Sequence, residues 1–106
     1  MKGLISLSGM SRNEIDALLD EGDRYADALT RGDPIERVLT GTVVANAFFE
    51  ASTRTRLSFQ RAAMALGADL LSLDPEISAT QKGESLRDSL LTLTALGTEI
   101  LIIRHV

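Results

Sequence analysis

Ser52-Thr53-Arg54-Thr55-Arg56 sets three hydroxyls and two guanidiniums in five consecutive positions. Such side chains are hydrogen-bond donors, and the planar fork of arginine matches the oxygens of a carboxylate or phosphate. The flanking residues say where the cluster sits. Before it, Thr42-Val43-Val44-Ala45-Asn46-Ala47-Phe48-Phe49 is short, apolar and β-prone; after it, Phe59, Ala62, Ala63 and Leu66 recur at i, i+3, i+4 and i+7, and Gly67 stops the run. The spacing therefore predicts a strand-to-helix turn. There the unpaired N–H groups of the first helical turn and the helix dipole favour a bound anion, and a phosphate fits best. From Ala51 to Ala68 there are three arginines, Arg54, Arg56 and Arg61, and no carboxylate, although the whole chain carries a net charge of −4. One positive patch in an acidic chain suits a small anion and argues against a general nucleic-acid or membrane-surface role.

The elements that must hold this turn can be read around it. The 106 residues, 44% hydrophobic, suffice for one modest core and one domain, residues 1–106. There is no cysteine, hence no disulfide framework, thiolate nucleophile or cysteine metal site, and a reducing cytosol is compatible. Met1 to Met10 is too short and interrupted for a secretory signal, and Leu90 to Ile103, cut by Gly97 and Glu99, falls short of a membrane span. Ser11-Arg12-Asn13-Glu14 is a capping box that starts a helix; Ile15, Leu18, Leu19, Ala26 and Leu29 form its apolar face, and Gly32 and Pro34 end it. A strand near Val43 to Phe49, a helix near Thr53 to Leu66 and a strand near Asp69 to Leu73 make a β-α-β unit. A polar stretch from Asp74 to Glu84 follows, then Ser85 as a helix cap, a helix to about Leu96, a stop at Gly97 and a strand from Glu99 to Ile103. Ile100-Leu101-Ile102-Ile103 is continuous, apolar and rich in β-branching, the pattern of a fully buried parallel strand. The alternation α-β-α-β-α-β predicts an α/β fold of three layers, a parallel sheet flanked by helices. Phe48, Phe49 and Phe59 are expected in the core.

Ligands of open parallel sheets bind outside the carboxyl ends of the strands. Two basic elements fall there: the hydroxyl-arginine turn after the first strand, and Arg104-His105 after the last. Their convergence on one crevice is stronger evidence than either alone.

Three blocks in this order, Phe48-Phe49-Glu50-Ala51-Ser52-Thr53-Arg54-Thr55-Arg56-Leu57-Ser58-Phe59, Lys82-Gly83-Glu84-Ser85 and Arg104-His105, resemble the carbamoyl-phosphate domain of the aspartate carbamoyltransferases. The resemblance covers about Val43 to His105. It implies that Ser52, Thr53, Arg54 and Thr55 bind the phosphate of carbamoyl phosphate, with Thr55 also near its carbonyl, and that Arg104 contacts carbamoyl and phosphate oxygens. It matches Ser78 and Lys82 to a loop that enters the active site of the neighbouring subunit in a homotrimer, and Glu50 to a residue used in interdomain contacts. The implied reaction is acyl transfer: the amine of L-aspartate attacks the carbamoyl carbon, a tetrahedral oxyanion forms and phosphate leaves, giving N-carbamoyl-L-aspartate for pyrimidine synthesis in the cytoplasm. Catalysis would rest on positioning and on donors aimed at developing charge, from Arg54, Thr55, Lys82 and Arg104, with no metal or organic cofactor. Family members continue past the position of Val106 into the rest of this domain and an aspartate-binding domain, so the resemblance implies a truncated half-site, inactive alone. Nothing in the residues singles out a regulatory or dihydroorotase partner.

Blander readings stand beside these. Arg54 could pair with Glu50 one turn earlier, one of Arg54 and Arg56 would ordinarily face away, Lys82 by itself is a solvated lysine, and His105 just past a strand is structural. Two other functions compete: an ornithine or related carbamoyltransferase, which shares the Ser-Thr-Arg-Thr turn, and a noncatalytic carbamoyltransferase-like partner subunit. Gln81-Lys82-Gly83-Glu84-Ser85 with Arg104-His105 favours the aspartate branch, and the retained polar set argues against a decayed site.

Overall fold

The computed structural model describes residues 3–73 and 86–105. Contacts divide the chain into two compact units, Met1–Ile35 and Glu36–Val106. The first holds helix α1, Arg12–Arg31, which starts as its capping box requires: Ser11 Oγ accepts from the Glu14 N–H at 3.1 Å, and Glu14 Oε1 accepts from the Ser11 N–H at 3.4 Å. Gly32, left-handed at φ 73°, closes the helix. No residue of α1 is buried. Among the described residues no helix is long and apolar enough to cross a membrane.

The second unit runs β1 (Val43–Phe48), α2 (Thr53–Ala65), β2 (Asp69–Leu73), α3 (Leu86–Ala95) and β3 (Ile100–Arg104). The described strands form one parallel sheet in the order β2-β1-β3, with Ala45 opposite Leu71 on one side and Leu101 on the other. The chain steps from β1 to β2 in one direction and from β2 back past β1 to β3 in the other. Right-handed crossovers therefore put α2 and α3 on opposite faces. Side-chain alternation along β1 agrees. Ala45 and Ala47 pack with Leu93 of α3, joined by Leu90, Phe49, Leu71 and Leu73, while Asn46 between them bonds to α2. Val44 and Phe48 are buried on the α2 side, and each contributes about 2 kcal/mol through burial of its side chain.

The turn from α2 into β2 shows why Gly67 must be glycine. Its N–H donates to the Met64 carbonyl and that of Ala68 to the Ala63 carbonyl, a closure that needs a left-handed residue, here at φ +86°. A Cβ at Gly67 would also lie 2.8 Å from Thr40 Oγ1 and 3.0 Å from Arg37 Cβ.

Two expectations need correction. β3 is parallel, but it is not fully buried: Ile100, Leu101 and Ile103 are 39%, 41% and 44% exposed. It is an edge strand of the described sheet, and an apolar sequence cannot report whether a neighbour covers that edge. Phe59 is not core either, being exposed on α2. Of the residues of α2 only the small Ala63, one turn further along, is buried. Ser85, expected as a cap, lies outside the described residues.

Candidate anion-binding site

The site is assembled by parallel pairing. Phe48 at the end of β1 lies opposite Arg104 at the end of β3, and the Phe49 N–H donates to the Arg104 carbonyl at 2.7 Å. This brings Arg104 beside the segment that leads into α2. Its Nη1 donates to Ser52 Oγ at 2.7 Å, and its Nε donates to Glu50 Oε1. The Arg104 and Glu50 side chains are 46% and 29% exposed, so their ion pair is screened and worth less than about 1 kcal/mol. Arg104 is held in place without being locked there.

Ser52 is the N-cap of α2, but its side chain makes no capping hydrogen bond, and the first turn contains no acidic residue. The first intrahelical bond is that from the Arg56 N–H to the Ser52 carbonyl at 2.9 Å. The N–H groups of Thr53, Arg54 and Thr55 come before it and have no intrahelical acceptor. These donors and the positive end of the helix dipole occupy the carboxyl end of β1, one hydrogen bond from Arg104. Thr53 and Arg54 are exposed, Ser52 and Thr55 half-buried. Among the described residues Arg54 holds no ion pair; Glu50, the partner suggested by sequence proximity, is taken by Arg104 instead. Arg56 is half-buried, and its backbone carbonyl accepts a hydrogen bond from Asn46 Nδ2 at 3.0 Å.

The described structure thus gathers Ser52, Thr53, Arg54, Thr55 and Arg104 at one end of the sheet. Ser78 and Lys82 lie outside the described residues. The ring of His105 packs against that of Phe49, with centroids 5.6 Å apart and planes tilted by 54°, in keeping with a structural residue. Sequence reasoning missed one pairing and one residue. The Glu50–Arg104 pair joins residues 54 positions apart and follows only once β1 and β3 are paired. Asn46 did leave a signal, as the single polar side chain in the apolar run Val43 to Phe49.

An α/β unit with an open helix N-terminus and a converging arginine at the carboxyl edge of a parallel sheet offers the donors that a small anion requires. Residues 2–106 match the family model described as aspartate/ornithine carbamoyltransferase, carbamoyl-P binding domain. The chain belongs to that family. It is 43% identical over 107 residues to the aspartate carbamoyltransferase catalytic subunit of Corynebacterium urealyticum, covering 99% of this chain and 34% of that one. It is 45% identical over 106 residues to the corresponding subunit of Thermus thermophilus, covering 98% and 34%. Among solved structures it resembles the aspartate transcarbamoylase of Trypanosoma cruzi in complex with carbamoyl phosphate and aspartate, with a TM-score of 0.84 and 32% identity over 98% of this chain and 32% of that one. The chain spans about a third of the length of the curated relatives it matches.

Proposed function

We propose that residues 1–106 are carbamoyl-phosphate-binding sequence of an aspartate carbamoyltransferase, and that the site at the start of α2 seats the phosphate. The observation that carries this reading is the meeting of Arg104 and Ser52 at an α2 N-terminus free of side-chain caps and of acidic residues. The phosphate of carbamoyl phosphate binds the N–H groups and side chains of Ser52, Thr53, Arg54 and Thr55. Arg104, released from its exposed pair with Glu50, reaches the carbamoyl and phosphate oxygens. The amine nitrogen of L-aspartate forms a bond to the carbamoyl carbon, whose carbonyl oxygen takes up the negative charge. Collapse of that oxyanion breaks the carbon–oxygen bond to phosphate, which leaves with the bonding electrons, and the attacking nitrogen gives up its proton.

Arg54, Thr55, Arg104 and Lys82 supply positive charge and donors where the oxyanion and the leaving phosphate develop charge. Lys82 and Ser78 are provided by the neighbouring subunit of a homotrimer, in the cytoplasm. The aspartate branch is favoured over an ornithine carbamoyltransferase by the names of both relatives and of the solved neighbour. The same polar set, complete from Ser52 to Arg104, disfavours a noncatalytic partner subunit. The test is a transfer assay on the full-length protein with carbamoyl phosphate and either L-aspartate or L-ornithine. N-carbamoyl-L-aspartate and phosphate in equal amounts are expected with aspartate and no product with ornithine. Citrulline formation would move the protein to the other branch, and no product with either amine would contradict the proposal.

A further inference from the structure

Asn46 is fully buried at the centre of β1, with Ser72 of β2 and Ile102 of β3 as its Cα partners across the sheet. Its Nδ2 donates to the Arg56 carbonyl at 3.0 Å, and its Oδ1 is buried with no hydrogen-bond partner among the described residues. The opposite amide orientation would set Oδ1 against the Arg56 carbonyl, two acceptors face to face. An amide half-satisfied in this way is a poor stabiliser, since the orphaned acceptor carries an uncompensated desolvation cost that an apolar side chain of similar volume would not. What the amide does provide is a connection. Arg56 closes the first turn of α2, with its N–H on the Ser52 carbonyl at 2.9 Å, and Ser52 Oγ accepts from Arg104. Asn46 is therefore linked through one residue to the cap of the helix whose free N–H groups face the anion.

We propose that Asn46 is a positioning residue for the anion site: it pins the first turn of α2 to the most deeply buried strand, and so fixes where the N–H groups of Thr53, Arg54 and Thr55 point. This rests on the reading of that turn as the phosphate site. Donor geometry that is right to within about 1 Å decides binding and turnover, and the bond from the Asn46 amide to Arg56 is a directional restraint on the helix that non-directional apolar packing does not supply. The amide reaches Arg56; a leucine has no donor, and a threonine hydroxyl sits too close to the strand to span the gap.

The experiment measures the dissociation constant of inorganic phosphate by calorimetry, the KM for carbamoyl phosphate and the melting temperature, in full-length Asn46→Leu and Asn46→Thr with Arg54→Ala alongside. Both Asn46 variants are expected to bind phosphate about five- to tenfold more weakly and to raise the KM similarly, while Asn46→Leu melts at or above the wild-type temperature. A residue needed only for packing would shift melting and leave phosphate affinity alone. If Arg54→Ala weakens binding and the Asn46 variants do not, the positioning role is overturned and the function stands. If Arg54→Ala also binds normally, the phosphate site itself is wrong and Asn46 falls with it. Failure of both Asn46 variants to fold would likewise overturn the proposal, because it would make the amide a requirement of the sheet rather than of the site.

Discussion

Arg54→Ala in the full-length protein is expected to abolish most carbamoyl-phosphate binding, raising the dissociation constant by the equivalent of about 2–5 kcal/mol, the usual loss when one partner of a hydrogen-bonded charge pair is truncated. The expectation is this large because of how Arg54 sits. It lies in the first turn of α2, its backbone N–H has no intrahelical acceptor, and among the described residues its guanidinium holds no ion pair. Folding asks little of it, so a change at this position should register in ligand binding and leave the stability within about 0.5 kcal/mol of wild type. Calorimetry with carbamoyl phosphate and a thermal melt read the two effects separately. Unchanged affinity would remove Arg54 from the site, whereas a large loss of stability would mean that its role had been structural.

Mixing two inactive proteins is expected to restore activity. If Lys82 completes the site of a neighbouring subunit, full-length Lys82→Ala and Arg54→Ala chains each form trimers in which every site lacks one essential group. In a trimer containing both kinds of chain, one of the three interfaces brings together the intact Arg54 of one chain and the intact Lys82 of the other. Random exchange of equal amounts makes three quarters of the trimers mixed, so about a quarter of the wild-type activity should return. The measurement is carbamoyl transfer before and after subunit exchange, with exchange itself followed by differently tagged chains. A mixture as inactive as its parents, despite proven exchange, would place Lys82 and Arg54 in the same subunit's site or take Lys82 out of it.

The elements around the site were legible because two different periods alternate along the chain. The 3.6-residue recurrence of Phe59, Ala62, Ala63 and Leu66 and the continuous apolar runs at Val43 and Ile100 separate α2 from β1 and β3, and Gly67 and Gly97 mark helix ends by their left-handed backbone. The hydroxyl-arginine turn was legible too, since its chemistry is concentrated in consecutive residues. What stayed hidden depends on partners that are distant in sequence. The exposure of Ile100, Leu101 and Ile103 follows from their place on the edge of the described sheet, which no local pattern records. The pairing of Arg104 with Glu50 rather than of Arg54 with Glu50 needs β3 beside β1. Asn46 reads as one tolerated polar residue in a strand until the carbonyl of Arg56 is found against it. The roles of Ser78 and Lys82 came from family resemblance alone, since a polar stretch has no period from which a site could be inferred.

The central claim, that the anion sits on the N-terminus of α2, is tested most directly by recording backbone amide resonances of the full-length protein while inorganic phosphate is added. The largest shifts are expected at Thr53, Arg54 and Thr55, with the Nε resonance of Arg104 moving at the same phosphate concentration as it exchanges Glu50 for the ligand. Saturable shifts confined to other residues, with these four unmoved, would contradict the claim.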